Sequence, residues 1–482
     1  MPRTLRRNFI QRFKENVNKH PQQPLYVFLD IHGSVKAAYT YEQFDERSKA
    51  LACSLIRKEN LNAGDRVLLA YPPGLEMMVA FFACVRAGII PVPVYPPTTQ
   101  GFSAAFEKMT YIATDCQAAA VLTDRTLYWS MRVNLTKTRL LNLSLKRHWL
   151  WKKPWIITSD SVSMDTNSWE DQPEDILFLQ YTSGSTNHPK GVVVRHENLI
   201  ENCDAVVDHQ PIGVSWLPQY HDMGLIGYYL FFAIKSGTTY GFSPLDFIQR
   251  PALWFETVTK YGGTATSAPN FAYEYCLRPG KISEGEMQGF NLSTLRFVMT
   301  AAEPVNAKTC EKFLQCFSNV GLKPEAFFAA YGLAEFTLAV SNYGRKALKV
   351  NASFLKKGWI AQENHVDSVL LQSCGKALGD TKILIVKETH GTLHPVEDEV
   401  GEIWLQGSGK CLGYWNKPEL NQTVFHATLP EVHGEWLRTG DLGFLHEGEL
   451  YVCGRIKDMI LIRGLNYYPQ DIEAIVERNP SI

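Results

Sequence analysis

The sequence predicts an α/β fold of several subdomains followed by a small all-β unit, and three observations carry that expectation. Short apolar runs alternate with helical patterns over the first two-thirds of the chain, the punctuation of βαβ units. From about Lys382 the style changes to short strands joined by polar turns. At 482 residues the chain exceeds what one hydrophobic core can hold.

The N-terminus, MPRTLRRNFIQRFKENVNKHP, is basic and amphipathic but lacks the continuous apolar centre of a secretory signal, so it is read as a helix of the mature protein. A strand is expected at Asp65–Tyr71, then a helix from Leu75 to Ala87 with Gly88 as its stop. Further strands are expected at Ala118–Thr123, Trp155–Thr158, Gly213–Leu217, Thr264–Ser267, Leu295–Thr300 and Ala326–Ala330. Most enter turns rich in glycine, proline or hydroxyls, and ligands of open α/β sheets bind at such strand ends. The runs KILIV, GEIWLQG and GELYVCG, the last after a His446-Glu-Gly turn, suggest a small β-barrel or β-sandwich. No internal repeat or low-complexity tract is present.

With 45% hydrophobic and 20% charged residues, the composition is that of an ordinary globular protein. Lysine plus arginine (48) nearly balances aspartate plus glutamate (49), so bulk charge offers no argument for a nucleic acid or an anionic membrane as partner. The ten cysteines show no CxxC and no metal-ligand spacing and read as reduced, mostly buried thiols. No stretch approaches ~18 uninterrupted apolar residues, so no membrane span is expected. A cytoplasmic location and a monomer are the default expectations.

The most informative segment is Tyr181 to Gly191, YTSGSTNHPKG. Without a Cβ at Gly184 the neighbouring backbone amides can approach phosphate oxygens. Thr182, Ser183, Ser185 and Thr186 add donors, and Lys190 adds charge. Asp175–Gln180 before it and Val192–Val194 after it look like strands, which makes the loop a hairpin-like flap for a polyphosphate. The P-loop signature does not fit, because no glycine precedes Lys190 and Gly191 follows it. Taken by itself, the segment could also be a solvated Ser/Thr/Gly loop.

Further segments follow in order: Ser215–Gly227 (SWLPQYHDMGLIG), Thr300–Val305 (TAAEPV), Phe327–Glu335 (FFAAYGLAE), Trp436–Asp441 (WLRTGD) and Arg455 with Lys457. With the flap, this series resembles the motifs of the adenylate-forming superfamily, which comprises acyl-CoA synthetases, luciferases, peptide-synthetase adenylation domains and fatty acyl-AMP ligases. The resemblance covers nearly the whole chain. It implies two α/β subdomains (about 1–175 and 176–350), an insertion and β-barrel subdomain (351–457), and the start of a mobile C-terminal domain (458–482). It further implies ATP and Mg²⁺ as reactants.

By the same resemblance Tyr331 stacks on adenine and Glu335 binds Mg²⁺, roles that suit an aromatic face and a hard carboxylate. Ala302, Glu303 and Ala330 border the purine, with Gly332 and Ala334 in the same turn. Many acyl-CoA synthetases carry threonine at the position of Ala334, whereas fatty acyl-AMP ligases commonly carry alanine. Asp441 accepts both ribose hydroxyls, as a carboxylate can; Arg455 contacts ribose or phosphate, and Lys457 is the hinge. His221 borders the carboxylate being activated, and Met223, Gly224, Ile226 and Tyr228 line an apolar channel for an acyl tail.

The wording of LPQYHDMGLIG, the long passage from Glu335 to Gly375, and the segments Leu371–Gly375 and Arg463–Glu473 resemble fatty acyl-AMP ligases in particular. In those enzymes an insertion restrains the C-terminal domain and disfavours reaction with CoA. The implied activity is conversion of a fatty acid to its acyl-adenylate, followed by transfer to a carrier-protein phosphopantetheine. The family's adenylation lysine would lie beyond Ile482, so this length is expected to bind ATP and acyl-AMP but to adenylate poorly. The rival readings are a long-chain acyl-CoA ligase and a non-catalytic nucleotide- or acyl-binding module; a peptide-synthetase adenylation domain ranks lower.

Overall fold

The computed structural model describes residues 8–97, 102–141, 150, 153–160, 166, 168–182, 188–206, 210–361, 368–389, 392–462, 465–467 and 469. The chain divides into two compact units, Met1–Thr257 with Cys411–Lys417, and Val258–Lys410 with Pro418–Ile482.

In the first unit, parallel strands run in the order Ile90–Pro93, Arg66–Leu69, Ala120–Thr123, Trp155–Ile157. The helix Glu76–Arg86 connects two of them and is buried along almost its whole length, as expected where both faces of a parallel layer are covered. It stops at the expected residue: Gly88 has φ +69°, and a Cβ there would lie 2.5 Å from the Gln172 carbonyl oxygen. A second sheet pairs Pro24–Leu29 antiparallel with Val35–Thr40 and parallel with Thr238–Gly241, which in turn pairs parallel with Ile212–Ser215. The strands expected on either side of the flap form an antiparallel hairpin, Ile176–Thr182 with Lys190–Arg195.

The N-terminal segment is helical over Phe9–Lys19, capped by the Asn8 side chain on the Ile10 amide. Phe9 and Phe13, one turn apart, are both fully buried, and Phe13 meets Phe44 and Phe82 edge-on. Beneath them Arg86, 1% exposed, pairs with Asp45 and with Asp171 at 3.0 Å and donates to Ser48 at 3.1 Å. That degree of pairing is what a buried guanidinium needs.

His196 ties this helix to the rest of the unit, its Nδ1 accepting the Phe9 amide at 3.1 Å. Burial lowers the imidazole from 6.5 to about 4. As pH falls, the unfolded chain therefore takes up this proton first. Stability should be unaffected by His196 above pH 6.5 and should decline between 6.5 and 4, by about 3 kcal/mol at the lower end. Denaturant titrations of the protein and of His196→Gln at several pH values check this; the variant should show the shallower decline.

In the second unit, Ala265–Ala268, Phe297–Thr300 and Phe327–Gly332 are parallel, and Ala339–Gly344 and Lys376–Ala377 extend them antiparallel. From Lys382 on, the described residues form mainly short strands, as expected, with a helix at Pro418–Val424 among them. Lys382–Thr389 lies between Thr392–Pro395 and Gly401–Gln406, and the long strand Val432–His446 pairs with Gly401–Gln406, Ala427–Leu429 and Glu449–Arg455. The passage after Glu335 is structured where it is described. Ala347–Asn351 and Ser368–Gln372 form a hairpin whose Val350, Val369 and Leu371 share a core with Phe444, Tyr451 and Met459.

All ten cysteines are free, and all but Cys316 are buried. No helix among the described residues is long and apolar enough to cross a membrane.

Candidate active site

In the second unit the site is built at the ends of two strands. Tyr331 closes Phe327–Gly332, and its hydroxyl donates to Asp441 Oδ2 at 2.5 Å. The other carboxylate oxygen, Oδ1, lies 3.2 Å from Arg455 Nε. The register explains that pair, since Asp441 faces Arg455 directly across the hairpin. Burial raises the Asp441 carboxyl above its ordinary value, while the Tyr331 hydroxyl and Arg455 pull it back. Burial, and then the Asp441 charge, push the Tyr331 phenol well above its own, so the tyrosine keeps its proton and acts as donor.

Glu402, which sequence reasoning missed, fixes the turn before Asp441. It is buried, its Oε1 accepts the Gly440 amide at 3.1 Å, and its Oε2 accepts from Trp404 at 2.9 Å and from Arg438 Nε at 3.0 Å. Thr439 adds a second tether, donating to the Ile403 carbonyl at 2.7 Å and accepting the Asp441 amide at 3.0 Å. A carboxylate so fixed, with lone pairs left over, can accept the two hydroxyls of a vicinal diol.

Ala302 follows Phe297–Thr300 in the left-handed region at φ +72°, a strained conformation that costs a non-glycine residue about 1–3 kcal/mol. Next to it, Glu303 accepts the Phe271 amide at 2.5 Å, at the start of the helix Asn270–Leu277. Ala330 and Ala334 are buried; Gly332 and Glu335 are half-buried. The short turn Ala334–Phe336 carrying Glu335 ends at Thr337, which has φ +69° and donates to the Gly409 carbonyl at 2.8 Å. Among the described residues no group of three or more His, Cys, Asp or Glu is placed to hold a metal. Glu335, half-buried in that turn, offers a hard carboxylate donor of the type Mg²⁺ takes. Arg455 and Lys457 are both exposed, with Lys457 in the turn just after Glu449–Arg455.

In the first unit, Thr182 and Lys190 are register partners at the mouth of the flap hairpin. Ser183, Gly184, Ser185 and Thr186 lie outside the described residues. Lys190 Nζ sits 4.8 Å from the ring centroid of Tyr414, a cation–π contact that aims the ammonium. Tyr414 was not anticipated. Its strand-like segment returns to the flap through Val192, and the Trp415 amide donates to the Gly191 carbonyl at 2.7 Å. Tyr181 donates to Asp115 at 2.7 Å, and Lys417 does likewise at 2.7 Å.

The flap is also linked to the LPQYHDMG segment, because Gln180 Nε2 donates to the Tyr220 carbonyl at 3.0 Å. His221 precedes the helical turn Asp222–Gly224, and its Nδ1 is 2.7 Å from Asp222 Oδ1. The Asp222 charge raises the imidazole above its ordinary value against a smaller effect of burial. Met223, Gly224, Ile226 and Tyr228 are all buried, and Tyr228 stacks on Phe232 at 5.5 Å. Residues Leu225–Leu230 form a π-helical stretch that continues into the helix Phe231–Ile234, a geometry often found at functional sites. A Cβ on Gly224 would stand 2.2 Å from the Pro218 carbonyl oxygen. Gly224→Ala is thus expected to displace the backbone beside His221 and to cost about 1–3 kcal/mol of stability, to be read by denaturant unfolding.

A family model described as AMP-binding enzyme matches residues 13–415. The medium-chain-fatty-acid–[acyl-carrier-protein] ligase JamA of Moorena producens (strain JHB) is 36% identical over 477 residues, 95% of this chain and 78% of that protein. The long-chain-fatty-acid–AMP ligase FadD32 of Mycolicibacterium smegmatis is 33% identical, covering 93% of this chain and 74% of its own. The crystal structure of a fatty acyl-adenylate ligase from L. pneumophila in complex with acyl adenylate and pyrophosphate superposes with a TM-score of 0.82 at 36% identity, covering 98% of this chain and 81% of that one. The chain belongs to the AMP-binding enzymes, the adenylate-forming class. Within that class it groups with the fatty acyl-AMP ligases.

Proposed function

We propose that this chain activates a fatty acid as its acyl-adenylate. The observation that carries the reading is the Tyr331–Asp441–Arg455 cluster, combined with kinship to ligases named for fatty-acid substrates. The ionised carboxylate attacks the α-phosphorus of ATP, a new acyl–phosphate bond forms, and the bond to pyrophosphate breaks. No general base is required, so catalysis is positioning and charge stabilisation.

In the second unit, Tyr331 stacks on the purine beside Ala302, Ala330 and Ala334, and Asp441 with Arg455 holds the ribose. Glu335 would hold Mg²⁺, which supplies charge neutralisation on phosphate oxygens when bound. In the first unit, Thr182, Lys190 and the flap bind the polyphosphate. His221, made more readily cationic by Asp222, orients the incoming carboxylate, and Met223, Gly224, Ile226 and Tyr228 receive the acyl tail.

The acyl group then passes to a carrier-protein phosphopantetheine rather than to CoA. Supporting this is the hairpin Ala347–Asn351/Ser368–Gln372, which packs on the strands leading to Lys457 and so is suited to restrain the hinge. We place the reaction in the cytoplasm, a setting that suits ten free thiols, and take the enzyme to be a monomer.

The test is mass spectrometry of products from dodecanoate, ATP and Mg²⁺ with and without CoA. Dodecanoyl-AMP that persists in the presence of CoA is the expected result. Abundant dodecanoyl-CoA would make the protein a CoA ligase, and no adenylate under either condition would leave a binding module.

A further inference from the structure

We propose that the outer face of the helix Arg125–Leu141, around Trp129, Arg132 and Val133, docks on an anionic lipid bilayer. The near-neutral bulk charge conceals a local imbalance. Between Asp124 and Asp160 the sequence contains no Asp or Glu, yet it contains Arg125, Arg132, Lys137, Arg139, the pair Lys146–Arg147 and the pair Lys152–Lys153. So one-sided a stretch in a chain of net charge −1 complements a polyanionic surface.

The fold fixes which side of the helix faces out. Asp124 Oδ1 caps the first turn, accepting the Leu127 amide at 2.7 Å. Leu127 and Met131, one turn apart, are buried in a core that includes Val121 and Leu179. The same core takes in Leu150, whose carbonyl accepts from Trp155 Nε1 at 3.3 Å. The complementary face carries Trp129 and Val133, again one turn apart and 54% and 53% exposed. The Arg132 guanidinium lies 5.4 Å from the Tyr128 ring centroid and 5.8 Å from that of Trp129.

A solvated charged face would not need an indole and a valine at its centre. An exposed indole stacked with a guanidinium suits the headgroup layer, where the ring sits at the apolar boundary and the arginine meets lipid phosphate. That combination favours a bilayer over a soluble acidic protein, whose contact would be made mainly through charge. The consequence is delivery: long acyl chains partition into membranes, and an enzyme held at that surface meets them there.

Vesicle co-sedimentation of the full chain without ATP tests the surface separately from catalysis. The probes are phosphatidylcholine vesicles with and without phosphatidylglycerol. Binding to the anionic vesicles only, weakened several-fold by a roughly tenfold rise in salt, is expected. Arg132→Glu should lower the apparent affinity by at least about fivefold, since each surface charge contributes about that factor. Trp129→Ser should lower it by a comparable amount, and both variants should keep the parent's thermal unfolding because both side chains lie on the surface. The proposal is overturned by equal binding to neutral vesicles, by no binding to either kind, or by variants that bind as the parent does. It is also overturned, in favour of a protein partner, if an acidic carrier protein binds in a manner sensitive to both variants while vesicles do not.

Discussion

Asp441→Ala is expected to lower kcat/KM for ATP by about 10²–10³-fold, the scale on which loss of one preorganised polar contact usually acts. The carboxylate would accept the ribose hydroxyls, and it already accepts the Tyr331 hydroxyl and faces Arg455. Removing it leaves a half-buried phenol without its acceptor and a guanidinium without its counter-charge. Calorimetric titration with ATP separates the two effects: weaker binding with unchanged unfolding assigns the loss to the nucleotide, whereas a drop in thermal stability alone would assign Asp441 to the scaffold. Asn at this position keeps the shape and one acceptor, and should retain more activity than Ala.

Glu335→Gln should be as damaging, also by about 10²–10³-fold in kcat, but with a different signature. The amide preserves the size of the side chain in a turn held by the Thr337 hydrogen bond to Gly409, so folding should be untouched. What is lost is one hard anionic ligand in a site expected to offer Mg²⁺ few protein ligands. Raising the magnesium concentration should recover part of the rate. An unchanged magnesium dependence would remove Glu335 from the metal site.

Much of this was legible in the sequence, for an identifiable reason. Strands such as Ala120–Thr123 and Phe327–Gly332 are short apolar runs that end on a hydroxyl or small residue, and the helix ending before Gly88 carries its own stop signal, so local physics decides them. The motif segments of the second unit were named by resemblance; Ala302, Ala330 and Tyr331 lie at or next to such strand ends, whereas Asp441 lies inside the strand Val432–His446. Tertiary register was hidden. Glu402 stands in a strand of buried neighbours, where a lone acid is a clue, but its partners Arg438 and Gly440 come from another strand through pairing with a register shift. The contact of Lys190 with Tyr414 joins residues far apart in the chain, and no periodicity announces it. The hydrogen bond from Phe271 to Glu303 turns a residue read as nucleotide-facing into one that also secures a helix start. That too depends on which loop arrives beside it.

The π-helical stretch Leu225–Leu230 has a bearing on how this site tolerates change. A π-turn is arithmetically an α-helix with one residue too many, and each residue of an α-helix accounts for about 100° of rotation. Deleting a single residue there would let the helix relax to ordinary winding while swinging His221 and Met223 through roughly that angle relative to Phe231–Ile234. Here the count of residues, as much as their identity, sets the direction in which the site points, and a one-residue deletion should be less forgiving than most substitutions along the same stretch.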